Sequence, residues 1–140
     1  MSTLEFQYEL EKYTKVFLEN KDFIRQSVKE FWQKNRQKLN PEMLAKIKKE
    51  DVILTCSPSF LINEIKEDLH TKNIIATEIN IDKGKIEYLN FGKNKVQIFK
   101  EKYPKKKITT VFTDSYNDQA LMDEAKHVYL VKKKECLKIK

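Results

Sequence analysis

Residues 110–125 read Thr110-Val-Phe-Thr-Asp-Ser-Tyr-Asn-Asp-Gln-Ala-Leu-Met-Asp-Glu-Ala125, and their character changes at Asp114. The first four residues are β-branched or aromatic, which predicts a strand. From residue 117 onward the apolar side chains recur at helical spacing, which predicts a helix to Ala125. The pattern is therefore a strand, a polar turn and a helix, as in α/β proteins.

Asp114 and Asp118 lie in this predicted turn, four residues apart. Open α/β sheets bind ligands at the carboxyl ends of their strands. Two carboxylates at this spacing can share a Mg²⁺ ion, which commonly takes one or two protein carboxylates plus a substrate phosphate. The alternative is that both residues only cap the turn and the helix start. Spacing alone favours neither interpretation.

The size of the chain, 140 residues, predicts a single domain with a core of its own. It is 40% hydrophobic and 35% charged, and no stretch approaches the ~20 apolar residues of a membrane span. Because residues 1–6 also lack the features of a signal peptide, we expect a cytoplasmic protein with no membrane partner. Cys56 and Cys136 lack metal-ligand spacing and are expected to be inert thiols.

The net charge of +7 raises the question of nucleic-acid binding. The lysines are spread over the whole chain, often beside glutamate, and the clusters at 105–107 and 132–134 contain no interleaved aromatic residues. Arg25 and Arg36 are the only arginines, which weakens the case for base readout. We therefore expect a solvated lysine surface that attracts a phosphorylated small molecule, with nucleic acid as the less favoured partner.

Helical patterns occupy residues 4–39. The apolar stripe of the first helix comprises Phe6, Leu10, Tyr13 and Phe17, and that of the second comprises Ile24, Val28, Phe31, Trp32 and Leu39. Asn20 is expected to cap the second helix, in which Trp32 is expected to be a packing residue. Asn40 and Pro41 have the order of an N-cap and a first helical residue, which predicts a short third helix to Lys48.

Strand and helix patterns alternate from Asp51 onward. The sequence predicts strands at 52–56, 73–81, 85–89, 108–113 and 127–131, and helices after Pro58 and over 92–103. Ser57 is expected to cap the helix that Pro58 begins. Alternation of this kind predicts a parallel, doubly wound sheet.

Right-handed crossovers place the carboxyl ends of parallel strands at one edge of the sheet. Ser57, the Asp114 and Asp118 pair, and Lys93 and Lys95 at a helix start should therefore converge there. A hydroxyl at a helix N-terminus binds phosphate oxygens, and a lysine neutralises their charge. The expected ligand is a phosphorylated small molecule held together with Mg²⁺.

Three segments resemble the second, third and fourth motifs of the haloacid dehalogenase superfamily, and in particular its phosphoserine-phosphatase-like subfamily IB. They are Ile53-Leu-Thr-Cys-Ser-Pro-Ser-Phe60, Gly92-Lys-Asn-Lys-Val96 and Phe112-Thr-Asp-Ser-Tyr-Asn-Asp118. The resemblance covers residues from about 25 to 135. It implies a three-layer Rossmann-like core over 45–140 and a partial helical cap over 1–44.

The resemblance also implies roles for single residues. Ser57 would hydrogen-bond the transferring phosphoryl group, and Lys95, rather than Lys93, would neutralise it. Asn117 would contribute to binding of the phosphorylated substrate. Among the carboxylates, Asp114 would bind Mg²⁺ and Asp118 would support the metal or Lys95.

The sequence departs from the family pattern in one respect. The family begins with a strand that ends in Asp-x-Asp, whose first carboxylate is the nucleophile, and no Asp-x-Asp occurs in these 140 residues. In the family that strand lies at the sheet centre, between the strands predicted at 52–56 and 108–113. We therefore expect a phosphatase-like chain that is N-terminally truncated, lacks its central strand and is inactive alone.

Two other functions remain open at this point, a non-catalytic binding or regulatory relative (or gene fragment) and a basic nucleic-acid-binding protein. A homodimer, or a separate N-terminal segment, could supply the missing sheet partner. These residues do not identify the substrate.

Overall fold

The structure of the chain is a computed structural model that describes residues 4–9, 11, 21–133 and 135–140. The chain divides into two compact units, Met1–Asn90 and Phe91–Lys140. The predictions for Leu10, Tyr13, Phe17 and the Asn20 cap lie outside the described residues.

The first unit contains helices followed by a small sheet. Residues 4–9 and 11 are helical. The elements that follow are α1 (Lys21–Asn35), a 3₁₀ turn (Arg36–Lys38), α2 (Pro41–Lys46), β1 (Val52–Pro58), α3 (Ser59–Ile62), a 3₁₀ helix (Asn63–Leu69), β2 (Asn73–Asn80) and β3 (Lys85–Tyr88).

Helix α1 buries only part of the stripe expected from its sequence, since Phe31 is exposed and Leu39 lies beyond the end of the helix at Asn35. Ile24 and Val28 are buried, and Trp32 packs against them while its indole N–H donates to the carbonyl oxygen of Leu61 at 2.7 Å. Trp32 is therefore a packing residue, as expected. None of the described helices is long and apolar enough to span a bilayer.

Asn40 caps helix α2 as predicted. Its side-chain oxygen accepts from the backbone N–H groups of Glu42 and Met43 at 3.0 and 3.2 Å. Pro41 occupies the first turn, where a missing N–H costs nothing. The helix ends at Lys46, two residues before the predicted end.

Strand β1 extends further than predicted and includes Ser57. Helix α3 begins only at Ser59, and Pro58 precedes it in an extended conformation (φ −69°, ψ 147°) without a side-chain cap. The prediction that Ser57 caps this helix is therefore wrong. A residue before proline avoids the helical region, which keeps Ser57 in the strand.

The first sheet has the order β1-β2-β3, with β1 parallel to β2 and β2 antiparallel to β3. Register between β1 and β2 is regular up to Leu54, which pairs with Ile75, and shifts before Pro58. The hairpin between β2 and β3 turns through residues 81–84, with Gly84 at φ 61°. This turn separates the strands predicted at 73–81 and 85–89.

The second unit alternates helices and strands. Its elements are α4 (Lys93–Lys102), β4 (Thr110–Thr113), a 3₁₀ turn (Tyr116–Asp118), α5 (Gln119–Glu124), β5 (His127–Lys132) and β6 (Glu135–Lys138). Strand β4 runs parallel to β5, and β5 runs antiparallel to β6. Met122, Ala125 and Val128 form a buried cluster in this unit.

The α/β class and the parallel strand pairs are confirmed, but the single sheet is not. The described strands form two three-stranded sheets, one in each unit, and an antiparallel strand extends each parallel pair. Strand β6 was not predicted, because lysines dominate the sequence around it. The three-layer arrangement, the division into 1–44 and 45–140, and the missing central strand stay predictions.

Candidate functional site

Two hydrogen bonds between residues that are close in sequence shape the loop after β4. The backbone N–H of Ser115 donates to Thr113 Oγ1 at 3.2 Å, and the backbone N–H of Asn117 donates to Ser115 Oγ at 3.1 Å. Hydroxyls after a strand commonly form such turns with the backbone two residues on. The loop thereby leaves strand β4 with Asp114 and Asn117 exposed.

Asp118 lies at the end of this loop and precedes helix α5. Its side chain makes no cap hydrogen bond to the helix. Instead, Oδ1 accepts from Lys95 Nζ and Oδ2 accepts from Thr113 Oγ1, both at 2.7 Å. The alternative interpretation of Asp118 as a helix cap is therefore wrong.

The Thr113 hydroxyl also lies 3.1 Å from the carbonyl oxygen of Ser115. A hydroxyl has one hydrogen to donate, so the two acceptors compete for it. The carboxylate of Asp118 is the closer acceptor and carries charge, which makes it the stronger one. Thr113 is buried, and it thus orients Asp118 from the end of the strand.

Lys95 reaches Asp118 from the first turn of helix α4. The helix follows Gly92, whose φ of 57° and ψ of −129° belong to a region that only glycine adopts freely. Lys95 is buried, whereas Lys93 is exposed. Of the two candidate lysines, Lys95 is the one that the structure brings to Asp118.

The ion pair between Lys95 and Asp118 is largely removed from water. The two side chains are 10% and 16% exposed, respectively. Asp118 is the one hydrogen-bond partner of the ammonium within the part of the chain that the structure describes. Because a lysine ammonium has three N–H donors, two remain available for an anionic ligand.

Asp114 lies four residues away in sequence and is exposed. No hydrogen bond or ion pair of its carboxylate is found among residues 4–9, 11, 21–133 and 135–140. The same residues contain no group of three or more histidine, cysteine, aspartate or glutamate side chains that could hold a metal. Binding of Mg²⁺ by Asp114 and Asp118 stays a prediction.

Ser57 belongs to the first unit and stands near the end of β1. It is half-buried, and its backbone N–H donates to Thr55 Oγ1 at 3.1 Å. Its hydroxyl has no hydrogen-bond partner among the described residues. The convergence of Ser57 with Lys95 and Asp114 stays a prediction.

Asn90 is a structural residue that sequence reasoning missed. It is completely buried, and its side-chain amide donates to the carbonyl oxygens of Thr55 and Ile75, each at 3.0 Å. Its Oδ1 accepts from the hydroxyl of Tyr88 at 2.7 Å. Asn90 thus bridges β1 and β2 where their register shifts. The one sequence signal was an asparagine between Leu89 and Phe91.

The charge of the chain is distributed unevenly between the units. Phe91–Lys140 contains thirteen lysines against six acidic residues, a surplus of seven. Met1–Asn90 contains fifteen basic and fifteen acidic residues, so its net charge is zero. The lysines are spread over both units, thirteen in each, but acidic residues are fewer in the second unit, to which the entire net charge of +7 therefore belongs.

Comparison with known families gives a match. A family model described as haloacid dehalogenase-like hydrolase matches residues 9–123, which is more than half of the chain. The matched region contains Ser57, Lys95, Asp114 and Asp118. Neither the comparison with curated proteins nor that with solved structures gave a match.

Proposed function

This chain belongs to the haloacid dehalogenase-like hydrolase family, and on that premise we propose that it binds a phosphomonoester together with Mg²⁺. The observation that carries the proposal is the largely buried ion pair of Lys95 and Asp118 beside the carboxyl end of β4. Lysines are rarely buried unless they are paired. Among the described residues only Asp118 accepts from the Lys95 ammonium, so two of its three N–H donors can bind an anion.

In this proposal Lys95 neutralises the phosphoryl group and Asp118 holds the ammonium in position. Asn117, exposed in the same loop, is a further donor for a phosphate oxygen. Ser57 is the other phosphoryl ligand implied by the family. These roles are those implied by the phosphoserine-phosphatase-like subfamily, to which we propose that the chain belongs.

Asp114 is the residue proposed to hold Mg²⁺, with Asp118 contributing through an oxygen that already accepts one hydrogen bond. When bound, the ion would supply positive charge to the phosphate oxygens. An exposed carboxylate that has no partner among the described residues suits this role, because its lone pairs are available to the metal.

Catalysis is a separate matter from binding. Covalent phosphoryl transfer to an aspartate requires that aspartate, and Asp-x-Asp is absent from these 140 residues. The chain alone is therefore proposed to bind phosphomonoesters without hydrolysing them. A non-catalytic binding or regulatory relative would share this property, and the same observation favours it as the second candidate.

Isothermal titration with inorganic phosphate in the presence of Mg²⁺ tests the proposal. We expect Lys95→Met to weaken phosphate binding at least about tenfold, since it removes one charge-assisted interaction. Lys93→Met is the matched control, two residues away on the same helix and exposed, and should change affinity less than twofold. Equal effects of the two substitutions would contradict the proposal.

The metal site is tested separately with a substitution that does not disturb buried groups. Asp114→Asn should abolish the dependence of phosphate binding on Mg²⁺. The control is Asp123→Asn, at an exposed position in the same unit. A Mg²⁺ dependence that survives Asp114→Asn would remove Asp114 from the site.

A further inference from the structure

The sheet of the second unit has two faces of different character. Side chains alternate between the faces along each strand, and Val128 and Leu130 of β5 are buried on one of them. The alternate residues lie on the opposite face. They include Phe112, whose exposed fraction is 43%, and the half-buried Tyr129. Aromatic rings therefore occupy the less buried face of the sheet.

Phe112 and Tyr129 form a stacked pair on this face. They occupy paired positions of the parallel strands β4 and β5, with ring centroids 4.9 Å apart and ring planes 14° from parallel. Aromatic side chains of this kind are platforms on which the bases of single-stranded nucleic acid stack. Because every base has a π face, such stacking tolerates many sequences but requires unpaired bases.

Polar and basic side chains lie beside the stacked pair. Thr110 and His127 are paired across the same two strands, two residues before the rings, and both are exposed. Lys138 of β6 is paired with Tyr129 and is also exposed. Since residues directly opposite each other share a face, these three side chains lie on the face of the rings. We call Thr110, Phe112, His127, Tyr129 and Lys138 the stacking face.

The charge of the second unit matches a polyanion. This unit carries the entire surplus of seven positive charges. Lys107 and Lys126 precede β4 and β5 and are exposed, and the backbone N–H of Lys126 donates to the carbonyl oxygen of Thr109 at 3.0 Å. The lysine clusters contain no aromatic residues in sequence, but the pairing of strands supplies the rings. Lysines and stacking rings in one small unit are the combination that binds single strands.

We propose that the stacking face binds single-stranded RNA. In this proposal the bases stack on Phe112 and Tyr129, and the lysines contact phosphates. The Thr110 hydroxyl and the His127 imidazole contact ribose 2′-hydroxyls, which assigns RNA rather than DNA to the face. The stacking face belongs to the second unit alone, and the proposal does not depend on the phosphomonoester site.

Fluorescence anisotropy of a labelled oligouridine with the full chain measures the contribution of the rings. At 50 mM salt, where lysine contacts contribute strongly, Phe112→Leu should weaken binding at least about fivefold, because it removes a stacked base. Phe23→Leu is the matched control, the same change at a phenylalanine of α1 that is 55% exposed, and should alter the affinity less than twofold. Equal effects of the two substitutions would overturn the proposal.

The dependence on salt separates the rings from the lysines. Lys138→Gln should lower the slope of log affinity against log salt by about 0.7, the contribution of one phosphate contact on a single strand. Phe112→Leu should leave this slope unchanged, since a ring releases no counterion. If Lys138→Gln weakens binding and Phe112→Leu does not, the lysines alone hold the strand and the proposal fails.

The form of the nucleic acid provides a second test. Oligouridine should bind at least about threefold more tightly than the matching oligodeoxyuridine, which lacks only the 2′-hydroxyls. It should also bind at least about fivefold more tightly than its duplex with oligoadenosine, whose paired bases cannot reach the rings. Equal affinity for the deoxy strand would overturn the assignment to RNA, and equal affinity for the duplex would overturn stacking.

Photo-crosslinking of an iodouridine-substituted oligonucleotide locates the site on the unsubstituted chain, so no variant has to fold. Adducts are expected on the peptides that contain Phe112 or Tyr129, and adducts confined to other peptides would contradict the proposal. Sedimentation tests the remaining occupant. A dimer that Phe112→Leu dissociates would assign the stacking face to a second copy of the chain instead of RNA.

Discussion

Lys95 Nζ lies 2.7 Å from Asp118 Oδ1, although 23 residues separate the two in sequence. A second ion pair, between Lys100 of α4 and Glu124 of α5, has an N–O distance of 3.0 Å. The first pair is largely buried, whereas the side chains of the second are 59% and 44% exposed. The two pairs therefore have similar N–O distances and different solvent exposure. Comparing them shows how burial changes the contribution of an ion pair to stability.

Removing one partner of the buried pair should strongly destabilise the second unit. Asp118→Asn leaves the ammonium of Lys95 buried without a counter-charge, and we expect a loss of about 3–5 kcal/mol in the free energy of unfolding. Glu124→Gln in the exposed pair should cost about 1 kcal/mol or less. Urea unfolding followed by far-ultraviolet circular dichroism measures both values.

The double variant Lys95→Met with Asp118→Leu separates two contributions to stability. One is the attraction between the two charges, and the other is the cost of leaving a single buried charge unpaired. Replacing both members of a buried pair with apolar residues is often neutral for stability. We therefore expect the double variant to be more stable than Asp118→Asn alone. A double variant that is less stable would show that the attraction itself dominates.

Asn90 should be the most sensitive polar residue of the first unit. Asn90→Ala removes the side-chain donors to the part-buried carbonyl oxygen of Thr55 and the buried one of Ile75, and the expected loss is about 2–4 kcal/mol. Asn80→Ala removes an exposed contact with Glu87 and an exposed acceptor for the backbone N–H of Lys83, and it should cost about 1 kcal/mol or less. Trp32, the single tryptophan, lies in the first unit and reports its unfolding by fluorescence. Equal losses in the two variants would contradict the bridging role of Asn90.

Hydrolysis of para-nitrophenyl phosphate by the purified chain with Mg²⁺ should be negligible, because the attacking carboxylate is not among its residues. The measurement is the release of nitrophenolate over hours at high protein concentration. Turnover that disappears in Asp114→Ala would refute this prediction. Turnover that persists in that variant would indicate a contaminating phosphatase.

Binding to nucleic acid should be weak and dominated by salt. The surplus of seven positive charges in the second unit predicts non-specific association with single-stranded DNA that falls steeply between 50 and 200 mM salt, by about 10³-fold or more if at least six phosphates are contacted. Lys107→Glu should weaken it more than the charge-matched Lys48→Glu in the first unit. Submicromolar affinity that persists at 200 mM salt would favour the nucleic-acid hypothesis.

Local signals were the ones that sequence reasoning interpreted correctly. The Asn40 cap with Pro41 in the next position depends on adjacent residues, and the structure contains both. The buried stripe of α1, with Ile24 and Val28, follows from helical spacing alone. The strand over Thr110–Thr113 and the turn after it were also correct.

Contacts between residues that are distant in sequence could not be predicted from the sequence. Asn90 becomes a bridge only because β1 and β2 lose register beside it, which depends on the pairing of strands distant in sequence. Ser57 extends β1 because the conformation of Pro58 delays the helix to Ser59. The uneven charge emerges only when the boundary after Asn90 is known.

The sequence by itself determined the alternation of strands and helices, the family motifs and the absence of an Asp-x-Asp nucleophile, because each of these is a property of neighbouring residues. Only the tertiary structure decided that Asp118 binds Lys95 and Thr113 rather than capping its helix. The reason is that the fold brings both donors within 2.7 Å of the carboxylate in a largely buried position. It also decided that Ser57 lines a cavity of the first unit, because the described residues of the cavity wall come from elements that are separate in sequence.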